Sequence, residues 1–312
     1  MTQAALLRTV VREGSGDGPH LLITAGVHGD EFTSIAAVRE LAGCVTSSLL
    51  RGRLTLVPIV NRAAFLLGQR TAEDHLDLAR TCPGRDDGSI TQRIAAELSR
   101  LIRSADFYID LHTGSSTTSV HPMAGYMLHP KADIRNQQRA MARIFNLPII
   151  WGTTATLEGR SLSVARDANV PAIYAEYLGS GACDPKGVAA YVEGCQNVMA
   201  WLGLLDRPLP DPKIRHWVED NQPGSGHMQT QNPAPIAGFF EPAVRLGDEI
   251  RPGQRIGTIY DAVEDSPVEV LSQQKGIVLA LRTFPRVAQG ESLCVIMETS
   301  FEVRAENGNV RE

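Results

Sequence analysis

The sequence predicts an α/β protein, a mixed and largely parallel sheet flanked by helices, followed by a small all-β domain. Three observations carry this. Short apolar runs alternate with longer helical patterns over the first two thirds of the chain. A Pro-rich stretch, Arg207-Pro208-Leu209-Pro210-Asp211-Pro212, ends that alternation. From about Gly226 onward come short β-type runs punctuated by glycine, among them Gly238, Gly247, Gly257 and Gly276, with no long helical pattern.

In order, residues 21–25 (Leu-Leu-Ile-Thr-Ala) read as a buried strand ending at Gly26. Residues 31–45 then have helical apolar spacing at Ile35, Val38 and Leu41. A second strand is expected over 54–60. Ser89 is a plausible N-cap for a helix running to about 104, with Ile94, Leu98, Leu101 and Ile102 on one face. Further strands are expected at 107–112, 125–128, 147–151 and 172–177, and helices at 132–145, 161–168 and 188–204. The expected organisation is therefore a catalytic domain over 1–206, a linker over 207–225 and a β-barrel-like accessory domain over 226–312.

Composition narrows the function. The chain has 312 residues, 43% of them hydrophobic and 21% charged. That length can bury about three quarters of its unfolded surface without disulfide staples. With 30 Lys+Arg against 35 Asp+Glu and no basic run, nucleic acid is a poor partner. No apolar stretch approaches a membrane span, and no signal peptide is readable in the first 18 residues. The five cysteines are scattered with no C-x-x-C, which suggests reduced thiols in the cytoplasm. The sequence leaves a homo-oligomer open.

Gly26-Val27-His28-Gly29-Asp30-Glu31 carries a strand into a tight turn that opens a helix. His28 and Glu31, three apart, share a side of a helical first turn and are suitable zinc ligands. Open α/β sheets bind ligands at such strand ends. The plain alternative is a loop histidine and a glutamate that favours the helix start. Asp110 and His112 share a face of the third expected strand, opposite Ile109 and Leu111. His112 could be a third ligand, with Asp110 holding a nearby polar group from outside the ligand set. Two histidines and a glutamate with an open fourth position form the pattern of catalytic zinc. Glu176 ends a buried strand, where a carboxylate is costly unless paired or functional. It could take a proton from water and deliver it to a leaving amine, or it could be a salt-bridged strand end.

These residues carry a resemblance. The chain resembles the succinylglutamate desuccinylase/aspartoacylase branch of the zinc carboxypeptidase-like superfamily. The matching pieces are G-V-H-G-D-E at 26–31, N-R-A-A-F-L-L-G-Q-R at 61–70, D-L-A-R-T-C-P-G at 77–84, D-L-H-T-G at 110–114 and A-E-Y-L-G at 175–179. The C-terminal β region, with Gly238-Phe239-Phe240-Glu241-Pro242, resembles the accessory domain of that branch. The resemblance implies one zinc ion on His28, Glu31 and His112, with Glu176 as general base and acid. It implies that Arg70 supports the polarised carbonyl oxygen and that Arg80 grips a substrate carboxylate. The family's D-L-N-R is D-L-A-R here, so Ala79 withdraws a hydrogen-bonding side chain beside Arg80. Arg166, ten residues before Glu176, could bind an acidic acyl group or sit on a solvated helix face.

The activity this implies is zinc-dependent deacylation of a small N-acyl, amino-acid-like substrate. A metallocarboxypeptidase is the alternative among enzymes. A carrier module is the alternative outside them, since the C-terminal region also resembles biotinyl/lipoyl-like domains and Lys275 precedes Gly276 in a turn-like position.

Overall fold

Parallel strands need cover on both faces, and the most apolar strands of this chain have it. The structure is a computed structural model that describes residues 6–46, 51–228, 230–261, 267–301 and 303. The first five residues and the end of the expected accessory domain, beyond 303, lie outside the described residues.

In chain order, β1 (Val10–Glu13), β2 (His20–Ala25), α1 (Phe32–Cys44), β3 (Arg53–Val57), α2 (Arg62–Leu67), α3 (Ile90–Arg103) and β4 (Phe107–Leu111) build the first half. Then come β5 (Thr118–Met127), α4 (Ala132–Phe145), β6 (Ile149–Thr153), α5 (Ser161–Ala168), β7 (Ala172–Gly179), α6 (Pro185–Trp201) and β8 (His216–Asp220). The C-terminal region adds β9 (Gly238–Pro242), β10 (Glu249–Ile250), β11 (Arg255–Tyr260), β12 (Pro267–Leu271), β13 (Gly276–Arg282), β14 (Arg286–Val287) and β15 (Cys294–Met297).

Strands β3, β2, β4 and β7 run parallel and adjacent at the centre of the larger sheet. Alternation along them sorts side chains to two layers. Leu21, Ile23, Ile109 and Leu111 pack with Val38, Met141 and Val198 of α1, α4 and α6. Leu22 and Tyr108 point the other way, onto Ile94, Leu98 and Ala165 of α3 and α5. Asp110 is on this second face, as the two-residue period predicts.

The second half of the sheet differs from expectation in extent. β5 spans ten residues where only 125–128 were expected. It pairs antiparallel with β7, and the register shifts between Val120 and Met123, where Pro122 has no N–H to offer the ladder. Beyond that irregularity, Met123–Met127 pairs with β6; before it, Thr118 to Val120 pairs with β13. The C-terminal region thus divides. β13, β10 and β15 extend the large sheet, while β12, β11, β9 and β14 form a separate antiparallel sheet. Within the stretch expected as linker, β8 pairs parallel with β6. No helix among the described residues is long and apolar enough to cross a membrane.

Candidate active site

The carboxyl ends of β2, β4 and β7 open into one cleft of about 340 Å³. The turn after β2 carries His28 and Glu31 into it. Gly29 is needed there: a Cβ would come within 2.2 Å of the Ala64 backbone in α2. Glu31 stands at the N-terminus of α1 but makes no side-chain cap bond, because its carboxylate faces two imidazoles instead. Its Oε1 lies 2.6 Å from His28 Nδ1 and its Oε2 lies 3.1 Å from His112 Nδ1.

Each imidazole is held from its far side by a second carboxylate. Asp110 Oδ2 is 3.1 Å from His112 Nε2. Asp110 is fully buried and accepts from the hydroxyls of Thr24 (2.7 Å) and Ser161 (2.5 Å). Asp77 Oδ1 is 3.1 Å from His28 Nε2 and also accepts from the Ala79 N–H at 2.9 Å. The sequence reading quoted Asp77 inside D-L-A-R but assigned it no task. Its position three residues before Arg80 was the available signal.

Arg70 joins this network. Its Nη2 donates to Asp77 Oδ2 at 3.0 Å and its Nη1 to Ser115 Oγ at 2.9 Å; Ser115 in turn donates to Glu31 Oε1 at 3.0 Å. Ser115 reaches this position with φ +57°, a conformation that costs a non-glycine residue free energy and is common at functional sites. The loop bearing Arg70, Asp77 and Arg80 is tied to α3 by Asp74, which accepts from the Ser89 and Thr91 hydroxyls at 2.5 and 2.7 Å.

The electrostatics follow from these contacts. Burial opposes ionisation of Glu31, but the two imidazoles hold its carboxyl well below the usual range. Burial alone would lower His112, yet the Asp110 and Glu31 carboxylates push it well above its ordinary value. Glu176 is the contrast. It is 6% exposed, its Oε2 meets no hydrogen-bond partner, and burial pushes its pKa up. His112 pulls it down in part, while the Glu31 carboxylate raises it further.

The ligand atoms of His28, Glu31 and His112 lie within 4.8 Å of one another and could hold a metal ion. The donor set fits zinc: two nitrogens and a carboxylate, both histidines backed by carboxylates that orient their Nδ1 atoms inward. Glu176, Arg70 and Arg80 line the same cleft.

Arg166 is a correction. It does not line the cleft. Its guanidinium pairs with Glu158 (2.7 Å) and Asp167 (2.8 Å) and donates to the carbonyls of Ala155 and Leu157. With its side chain only 14% exposed, it sits on neither the cleft wall nor a solvated face and instead ties α5 to the loop before it. The arginine that sequence reasoning missed is Arg160, just ahead of α5, which does line the cleft. The C-terminal region closes the cleft with Leu281, Arg282, Glu291 and Leu293. Lys275 stands exposed in the β12–β13 connection.

Fold and site define a class: an α/β protein with a two-histidine, one-carboxylate cradle and a buried glutamate in a single cleft at its strand ends. The chain belongs to the succinylglutamate desuccinylase/aspartoacylase family, whose catalytic-domain model matches residues 17–202. It is 33% identical over 300 residues to the N-α-acetyl-L-2,4-diaminobutyric acid deacetylase of Halomonas elongata, covering 93% of this chain and 84% of that protein. The crystal structure of a succinylglutamate desuccinylase/aspartoacylase from Rhodobacter sphaeroides superposes with a TM-score of 0.84 at 26% identity, covering 94% of this chain and 89% of that one. A succinylglutamate desuccinylase from Silicibacter sp. TM1040 gives 0.85 at 26% identity, covering 93% and 88%.

Proposed function

We propose that the protein is a zinc-dependent amidohydrolase that removes the acyl group from the nitrogen of a small amino-acid-like substrate. The observation that carries this is the pairing, in one cleft, of the His28–Glu31–His112 cradle with a buried Glu176 whose Oε2 has no partner. The deacetylase named for the Halomonas elongata relative supports the same reaction class and makes N-α-acetyl-2,4-diaminobutyrate the first substrate to assay.

His28, Glu31 and His112 would hold the ion. Bound there, zinc supplies Lewis acidity toward a carbonyl oxygen and toward water. Glu176 accepts the proton of the attacking water and passes it to the amine nitrogen as the C–N bond breaks. Its raised pKa suits both halves of that transfer. Arg70 is fixed by Asp77 and Ser115 and donates to the carbonyl oxygen as negative charge develops there. Arg80 meets the substrate's carboxylate, for which a guanidinium fork is well shaped. The five unpaired cysteines support a reducing, cytoplasmic setting.

The test is amine release from a panel of N-acyl amino acids by purified protein, with metal analysis before and after chelation. Activity that is lost with the metal and returns with added zinc is expected. Full turnover by metal-free protein would overturn the reading.

A further inference from the structure

The apolar core behind the cleft reaches the surface along one wall. Met127, Leu157 and Leu162 belong to a single buried cluster, and Ala79 and Tyr174 are partly exposed members packed against it. All five line the cleft. Close packing fixes the wall at both ends. At one end Gly159, with φ +77°, lies against the turn that carries Ala79, where a Cβ would come within 2.5 Å of the Arg80 carbonyl oxygen. At the other, Tyr174 stands opposite Gly125 in the β7–β5 ladder, and a Cβ on Gly125 would come within 2.3 Å of the Tyr174 ring. The ring therefore lies across β5. Burial and the Glu176 charge push the Tyr174 phenol up, which leaves it neutral at physiological pH.

The place of this wall ties it to one part of the substrate. Ala79 adjoins Arg80, which meets the substrate carboxylate, and Tyr174 shares a strand face with Glu176, which serves the amine nitrogen. The α-carbon that joins that nitrogen to that carboxylate faces the wall between them, and so does the side chain it bears. The charges bordering the wall at its Ala79 end are cations, Arg80 and Arg160. The cleft's carboxylates are engaged with other partners. Glu31 faces the imidazoles, Asp30 accepts from the Ser116 N–H, Glu291 pairs with Arg282, and Glu176 is committed to the proton of the amine. A substrate ammonium would lose water at this wall without meeting a counter-charge, whereas an apolar side chain gains by leaving water.

We propose that the wall from Ala79 to Tyr174 is an apolar side-chain subsite, and that the preferred substrate is the N-acyl derivative of an amino acid with an uncharged, branched or aromatic side chain. That differs from the cationic diaminobutyrate in the name of the Halomonas elongata relative. Ala79 fits the assignment, because its methyl group continues the apolar surface where the resemblance expects asparagine. The inference rests on the deacylase reading for which part of the substrate meets the wall, and the experiment separates the two.

Zinc-loaded Glu176→Gln protein is expected to hold substrate without turning it over. Calorimetry compares leucine, 2-aminobutyrate and 2,4-diaminobutyrate, each acetylated at the α-nitrogen, so that acetyl group and carboxylate are shared. The leucine derivative is expected to bind about tenfold more tightly than the aminobutyrate derivative, because it sets two more carbons against the wall. The diaminobutyrate derivative, which adds an ammonium to aminobutyrate, is expected to bind about tenfold more weakly than the latter. Ala79→Asn, at a partly exposed position, should weaken the leucine derivative about threefold or more and leave the diaminobutyrate derivative within about twofold. An unchanged melting temperature verifies the fold of that variant. Binding of the diaminobutyrate derivative as tight as that of leucine, equal affinities for all three, no binding of any, or an equal loss for all three in Ala79→Asn would each overturn the proposal. Wild-type protein that releases amine from all three with no preference for leucine would overturn it too and leave the deacylase reading standing. Wild-type protein that releases no amine from any N-acyl compound, while the ranking and its dependence on Ala79 persist, would overturn the deacylase reading and leave the subsite standing.

Discussion

The cleft has two ends, and they differ in how their charges are balanced. At the cradle end every ionisable group has a protein partner. Glu31 faces both imidazoles, Asp110 and Asp77 stand behind them, and Arg70 rests on Asp77. At the substrate end, Glu176 keeps an oxygen without a partner, and Arg160 keeps a guanidinium without a described counter-ion. Balanced networks fix geometry, since each member is oriented by the next. Unbalanced buried groups store an unmet interaction that a ligand can supply. The difference separates residues that build the site from residues that meet the substrate.

That contrast can be broken most severely at the cradle. His28→Ala and His112→Ala should each abolish tight metal binding and, with it, amine release. Elemental analysis checks this, and full metal content in both variants would remove the cradle from the account. The next effect separates the two ends. Glu176→Gln should lower kcat by about 10²–10⁴-fold while metal content and fold stay as they are. Turnover near the wild-type rate at full metal occupancy would mean that another group moves the proton.

Smaller effects sharpen the comparison. Asp110→Asn should weaken metal affinity by roughly 10–100-fold, because His112 loses the carboxylate that orients it. Competition with a chelator of known affinity reads this, and an unchanged affinity would show that Thr24, Ser161 and Asp110 serve folding alone. The smallest effect on activity is expected at Arg166, outside the cleft. Arg166→Ala should cost about 1–2 kcal/mol of stability through its lost carbonyl and carboxylate contacts while leaving turnover within about twofold. A large rise in KM would restore Arg166 to substrate binding.

Much of the scaffold was legible because buried parallel strands and amphipathic helices carry their own periodicity. The helices at 132–145 and 161–168 end where the structure ends them, and the face shared by Asp110 and His112 follows from strand geometry. What escaped was short or irregular. β1 has four residues, and the first half of β5 is broken by His121-Pro122, so neither shows a clean period. β8 follows a Pro-rich stretch and is a strand because β6 offers it an edge.

The sequence by itself determined the ligand candidates His28, Glu31 and His112, since their spacing within a turn and a strand is local chemistry. It also determined Glu176, because a lone carboxylate in an apolar strand is conspicuous before any folding is known. Tertiary structure alone decided which arginine meets the cleft. Arg160 caps the N-terminus of α5 and Arg166 sits six residues on, in the last turn of the same short helix, and no apolar period tells which of them enters the cleft. The choice follows from two packing facts: Glu158 and Asp167 neutralise Arg166 outside the cleft, and Gly159 fits against the Arg80 backbone closely enough to turn Arg160 inward.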